Sequence, residues 1–246
     1  AIVTENLSRK QTTVCLMAEK AGVDVIPVDI GVAVDVHGEK IRQCKIMYGT
    51  KDMTEGPAMT REQAVRAIEV GISMAEECRE KGYELLCVGE MGIGNTTSTA
   101  AMTAALLNLP VEQVTGRGAG LSSEGLKSKI SAIKRAIARN KPDASDPIDV
   151  LHKVGGLDIA GMVGLYLGGA ACGLPVVVDG VIACAAALCA ARICPPARDY
   201  MLVSHQSEEP AGAVLLKALD ARLSPYTPAA STPSAARTLP RLSVGR

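Results

Sequence analysis

The residues best suited to chemistry lie at 89–97, which read Gly-Glu-Met-Gly-Ile-Gly-Asn-Thr-Thr. Glycines such as Gly92 let a backbone approach a ligand closely. Asn95 and Thr96 add side-chain donors, and the helix that follows offers free N–H groups and the positive end of its dipole. A phosphate or a ribose phosphate fits such a cradle. The loop holds no Gly-Lys-Ser/Thr and does not follow G-x-G-x-x-G, so it carries neither common nucleotide fingerprint. Glu90 stands out, because a carboxylate beside a phosphate cradle repels the ligand unless it has another task. Holding a ribose hydroxyl or facing a growing positive charge would be such a task. A tight turn followed by a helix cap is the plainer reading of the same residues.

Three more segments suit a phosphorylated ligand. Gly116, Arg117, Gly118, Ala119 and Gly120 form a second glycine-rich loop, or else a flexible linker. Arg117 and the downstream Lys129 could reach an anion; for Lys129 the commoner alternative is a solvated helix face. Asp179 ends an apolar run and precedes Gly180, which suits hydroxyl binding or capping of the next helix equally well. Ser207, in the run Ser-His-Gln-Ser-Glu at 204–208, could bind phosphate with adjacent N–H groups. His205 lacks a visible nucleophile partner, which favours a structural role over that of a base.

The elements that must position these residues alternate. Helical patterns are expected at 8–20, stopped by Gly22, and at 60–81, opened by the capping box Thr60-Arg61-Glu62-Gln63. Further helices are expected at about 96–107, 123–139, 158–172, 181–193 and 209–219. Short apolar runs at 23–30, 84–90, 175–180 and 200–205 read as strands, and 31–59 and 140–147 as loops. Apolar strands alternating with helices indicate a parallel sheet covered by helices on both faces, an α/β protein of Rossmann-like, doubly wound layout. Ligands in such folds sit at the carboxyl ends of the strands, where the candidate segments at 89–97, 179–180 and 204–208 lie.

Composition narrows the function further. Lys plus Arg number 26 and so do Asp plus Glu, so no basic surplus exists to neutralise a nucleic-acid backbone. Aromatics make up 2%, which leaves no base-stacking platform. The eight cysteines form no C-x-x-C pair and the three histidines are scattered, so neither a disulfide scaffold nor a zinc site is expected. Residues 159–178 carry no charge, but their glycines and Pro175 suit a buried helix and strand better than a membrane span. No signal peptide is expected at the start, and a reducing cytoplasmic compartment is.

Taken in order, several segments resemble the nicotinate-nucleotide–dimethylbenzimidazole phosphoribosyltransferase family: VGEMGIGNTTSTAAM at 88–102, TGRGAGL at 115–121, KVGGLDIAGMVG at 153–164, GLPVVVDG at 173–180 and SHQSEEPAG at 204–212. VDVIPVDIGV at 23–32 and GPAMTREQA at 56–64 fit as well. The resemblance implies transfer of ribose 5-phosphate from nicotinate mononucleotide to 5,6-dimethylbenzimidazole in cobalamin lower-ligand synthesis. Nicotinate leaves and the anomeric carbon inverts. It implies no metal or organic cofactor, a cytoplasmic homodimer, and a Rossmann-like domain with a small second domain. Carried onto this chain, it places phosphate and ribose binding at Glu90, Gly92, Asn95, Thr96, Gly116, Gly118, Lys129 and Ser207. Glu90 is then also the carboxylate that faces the positive charge growing on the ribose.

Two departures accompany the resemblance. The family's N-terminal Asp-His-Gly segment, part of the aromatic-base pocket, has no counterpart, so residues 1–22 read as a remnant of an incomplete small domain attached to an α/β domain ending at 220. The family's general-base Glu lies in a C-terminal Gly-Glu-Gly motif, and no such motif follows Leu219. Residues 221–246 are instead rich in Pro, Ser, Ala and Arg and hold no Asp or Glu, which reads as a disordered tail introduced by a frameshift. The alternative function is a phosphoribosyl-ligand binding remnant without a catalytic base.

Overall fold

The computed structural model describes residues 1–220; the tail at 221–246 lies outside the described residues. The chain opens with helices α1 (Ile2–Ser8) and α2 (Thr13–Ala21) where one helix at 8–20 is expected. The break falls at Lys10, whose φ is +59°, and Thr12 restarts the helix by accepting a hydrogen bond from the Cys15 N–H at 3.4 Å. Gly22 ends α2 in the left-handed region that favours glycine.

Strands β1 (Val28–Asp29) and β2 (Arg42–Gln43) pair in parallel within the irregular segment before α3. Asp29, fully buried, organises this corner. Its Oδ1 accepts from the Gly31 and Val32 N–H groups, and its Oδ2 pairs with Lys45 at 2.7 Å.

Helix α3 (Arg61–Glu80) begins at the capping box read from the sequence, with both reciprocal bonds between Thr60 and Gln63 formed. It packs along α8 (Leu157–Cys172). Two glycines make that approach possible. A Cβ on Gly71 would lie 2.0 Å from the Gly161 carbonyl oxygen, and one on Gly164 would lie 1.9 Å from that of Ile68. The uncharged stretch at 159–178 is therefore α8 followed by a buried strand, and no helix among the described residues is long and apolar enough to cross a membrane.

Between them lie strand β3 (Leu86–Cys87), helix α4 (Asn95–Leu107), the short α5 (Val111–Val114) and α6 (Ser123–Asn140). Helix α7 (Pro147–Val154) is not among the helices expected from the sequence. Its signal is Asp146, whose carboxylate caps the Ile148 and Asp149 N–H groups, followed by Pro147 at the first helical position. Strand β4 (Val176–Val178), helix α9 (Val181–Ile193), a 3-10 turn at Pro195–Tyr200, strand β5 (Met201–Val203) and helix α10 (Ala211–Ala218) complete the described chain.

Strands β3, β4 and β5 form one parallel sheet in that order, with Leu86 opposite Val176 and Val176 opposite Met201. The protein is α/β and helix-rich, because each strand is only two or three residues long. The row Cys87–Val177–Leu202 points away from the buried Val176 and Val178, and Leu202 is 47% exposed. Three of the four loops singled out in the sequence follow the carboxyl ends of these strands, and the fourth, at 116–120, joins them through the Gly118 N–H bond to Glu209.

Candidate functional site

The first turn of α4 is the centre of the site. Gly94 stands at its N-cap with φ +77°, a conformation open to glycine and strained for other residues. The turn it makes brings Glu90 back over the helix start. Glu90 Oε2 accepts from the Gly92 N–H and, at 2.6 Å, from Asn95 Nδ2. The same Asn95 nitrogen donates to Asp158 Oδ2 at 2.8 Å, so one amide spends its two protons on two carboxylates. Asn95 is 7% exposed and its Oδ1 has no partner among the described residues.

This network sets the charge state of Glu90. Burial pushes its carboxyl up, the bonds from Asn95 and Gly92 pull it partly back, and the nearby Asp158 and Asp179 carboxylates push it up again. The sequence shows Asp158, in the first turn of α8, only as a flank of the apolar stretch. Two glycines directly before that helix, Gly155 and Gly156, are the available signal of a strand-end-like loop.

The residue after Asn95 faces a different set of partners. Thr96 Oγ1 accepts from Lys129 Nζ at 2.9 Å, and Lys129 also donates to the Gly116 carbonyl oxygen at 3.0 Å. Lys129 is 7% exposed, so the solvated-face reading is overturned. The reason is its register on α6, since Lys129, Ile133 and Ala136 repeat at helical spacing on the buried stripe. Burial lowers the lysine's proton affinity, and the Glu209 carboxylate partly restores it.

The glycine-rich loop is folded rather than a linker. Gly118 and Gly120 take φ of +55° and +99°, and the Gly118 N–H donates to Glu209 Oε1 at 3.1 Å. Arg117 closes its own loop on the Leu121 carbonyl and Ser123 Oγ, so its guanidinium is engaged within the loop. Ser207, before α10, uses its Oγ to accept from the Glu209 N–H at 3.3 Å. Glu209 carries no mark of function in the sequence, although it lies within the 204–212 segment.

Asp179 directly follows β4, but no side chain caps α9. It stands 3.8 Å from His205 Nδ1. Ser204 Oγ donates to the Val178 carbonyl at 3.0 Å and lies 2.9 Å from His205 Nδ1. That arrangement leaves the histidine Nδ1–H as donor to Ser204, a structural anchorage. The chain thus brings together an amide-linked carboxylate pair on one side of the α4 start and, on the other, a buried lysine bonded to the Gly116 carbonyl near the Gly118 N–H. The first suits a developing cation, the second an anion.

A family model described as phosphoribosyltransferase matches residues 1–226. The chain belongs to this family. Its relatives include the nicotinate-nucleotide–dimethylbenzimidazole phosphoribosyltransferase of Acetivibrio thermocellus, 48% identical over 88% of this chain and 62% of that protein. The protein of the same name from Alkaliphilus metalliredigens is 52% identical over 85% of this chain and 60% of its own length. Among solved structures, CobT from Thermus thermophilus is similar with a TM-score of 0.85 and 40% identity, over 90% of this chain and 66% of that one. The chain therefore spans somewhat under two thirds of the length of these family members.

Proposed function

We propose that the protein transfers ribose 5-phosphate from nicotinate mononucleotide to 5,6-dimethylbenzimidazole, releasing nicotinate and forming α-ribazole 5′-phosphate. The observation that carries this reading is the split at the start of α4: Asn95 holds Glu90 while the adjacent Thr96 is held by Lys129. A sugar phosphate laid across that turn puts its phosphate by Lys129, Gly116, Gly118 and Ser207. Its ribose then lies by Gly92, Glu90 and Asp179.

The benzimidazole nitrogen attacks the anomeric carbon as the bond to the nicotinate ring nitrogen breaks, and nicotinate keeps that electron pair. Positive charge on the ribose ring peaks between these events, where an ionised Glu90 stabilises it. Burial raises the Glu90 carboxyl, so the assisting form accumulates as pH rises through that elevated value. The ribosylated benzimidazole then gives its N–H proton to solvent water.

Residues 1–220 act in this reading as one phosphoribosyltransferase-like α/β unit, with 1–22 belonging to the family's small domain. The names of the relatives support a small-molecule enzyme. In the same reading it works in the cytoplasm as a homodimer, without nucleic-acid or membrane partners. The test is nicotinate release from nicotinate mononucleotide, with and without dimethylbenzimidazole. Benzimidazole-dependent release with stoichiometric α-ribazole 5′-phosphate is expected. Folded protein that binds the nucleotide and releases nothing would refute transfer and leave a phosphoribosyl-binding protein.

A further inference from the structure

The phosphate cradle already contains an anion of the protein's own. Glu209 Oε1 takes the Gly118 N–H at 3.1 Å. Its other oxygen lies in the notch left by a missing side chain, since a Cβ on Gly116 would stand 1.6 Å from Oε2. Lys129 supplies two of its three ammonium protons to Thr96 and Gly116, and the Glu209 charge favours its protonated state. A carboxylate thus engages the N–H group and the field of the cation that a phosphate needs.

We propose that Glu209 is an internal stand-in for the phosphate, which keeps the cradle folded before the ligand arrives and is expelled when it binds. This rests on the phosphate reading of the cradle given above. A phosphate and a carboxylate cannot share one lysine and one glycine N–H without strong like-charge repulsion. The carboxylate can leave without unfolding anything, because only its side chain reaches into the notch. Its backbone N–H is held by Ser207 Oγ at 3.3 Å, and α10 begins two residues later. Ser207 is itself a proposed phosphate ligand, so phosphate arrival frees that N–H and the side chain in one event. Glu209 and the ring of Pro210 together give Gly116 its reason to be glycine, because a Cβ there would stand 1.6 Å from the carboxylate and 2.8 Å from Pro210 Cδ. The stand-in also sets a threshold, since a ligand must out-compete a tethered carboxylate to enter.

The experiment is calorimetric titration of the full chain with inorganic phosphate and with nicotinate mononucleotide, for the wild type, Glu209→Gln and Glu209→Asp. Glu209→Gln keeps the shape and removes the charge, and about tenfold tighter phosphate binding is expected. Glu209→Asp keeps the charge with a shorter reach and should fall between. Unchanged or weaker binding by folded Glu209→Gln would overturn the proposal and make Glu209 a clasp that supports the cradle. Absence of phosphate and nucleotide binding in every form, wild type included, would bring down the phosphate reading itself. A measurement on the wild type needs no variant: the 13C resonance of the Glu209 carboxyl should move on phosphate saturation together with the Gly118 amide. A carboxyl signal that stays in place would equally refute expulsion.

Discussion

Replacing Lys129 by Met tests the anion half of the site without disturbing its shape. The methionine side chain is close in length and leaves the buried stripe of α6 filled. Two energies follow from the structure. A hydrogen bond from a charged donor is worth about 1.5–3 kcal/mol, so ligand affinity should fall by roughly 10- to 150-fold. For the fold, the change relieves the cost of burying an ammonium that is 7% exposed, while the Gly116 carbonyl and Thr96 lose a donor, at about 1–3 kcal/mol for a buried group. These effects oppose each other, so the melting temperature should move by no more than about 4 °C in a domain of this size. Calorimetric titration with nicotinate mononucleotide and a thermal melt on the same sample separate the two quantities. Burial holds the lysine below its ordinary 10.5, so wild-type affinity should decline as pH rises through that lowered value. The decline should be missing in Lys129→Met. An affinity loss under about threefold would refute the assignment of Lys129 as the anion ligand.

Three further outcomes are expected. Asp158→Asn removes a negative charge that pushes Glu90 up, so the Glu90 carboxyl should titrate at lower pH and the acid limb of the transfer reaction should follow it. A Glu90 signal and pH profile that stay where they were would show that the Asp158 charge does not bear on Glu90. Gly164→Ala puts a methyl 1.9 Å from the Ile68 carbonyl oxygen, which no rotamer relieves; a loss of about 3 kcal/mol or more is expected by denaturant unfolding. Gly56→Ala, where a Cβ meets nothing within 4 Å, should stay within about 1 kcal/mol, and equal losses at the two positions would contradict the close helix crossing. Asp146→Ala removes both the cap of α7 and the partner of Arg61 at 2.7 Å, and should cost about 1–2 kcal/mol. Arg61 holds the Asp146 carboxyl below its usual range, so this stability is present above that range and lost as acid protonates the group. A wild-type acid-unfolding curve that Asp146→Ala matches at every pH would refute it.

Local chemistry made most of the helices readable. Thr60 and Gln63 announce the start of α3 because the capping box satisfies N–H groups within four residues of chain, and Gly22 announces the end of α2 for the same local reason. The limits expected for α9 coincide with those observed, Val181–Ile193, because an apolar run is bounded by Gly180 and Pro195. Strands were legible as positions and not as lengths. The run at 84–90 shrinks to Leu86–Cys87, since strand extent depends on partners distant in sequence. The site divides in the same way. Glu90, Asn95 and Thr96 declare themselves in one loop, whereas Asp158 and Glu209 enter through contacts spanning 63 and 91 residues. Lys129 could have been recognised, because its place in the Ile133–Ala136 stripe marks it as an inward residue despite its charge.

Asn95 and Thr96 are consecutive, and their Cα atoms stand about 3.8 Å apart within a hydrogen-bonded helix turn. The anion grip and the carboxylate grip are therefore fixed to neighbouring rungs of one rigid ladder. On the proposed reading, phosphate and ribose are held at one spacing, set by the backbone of a single helix turn rather than by side chains free to drift apart.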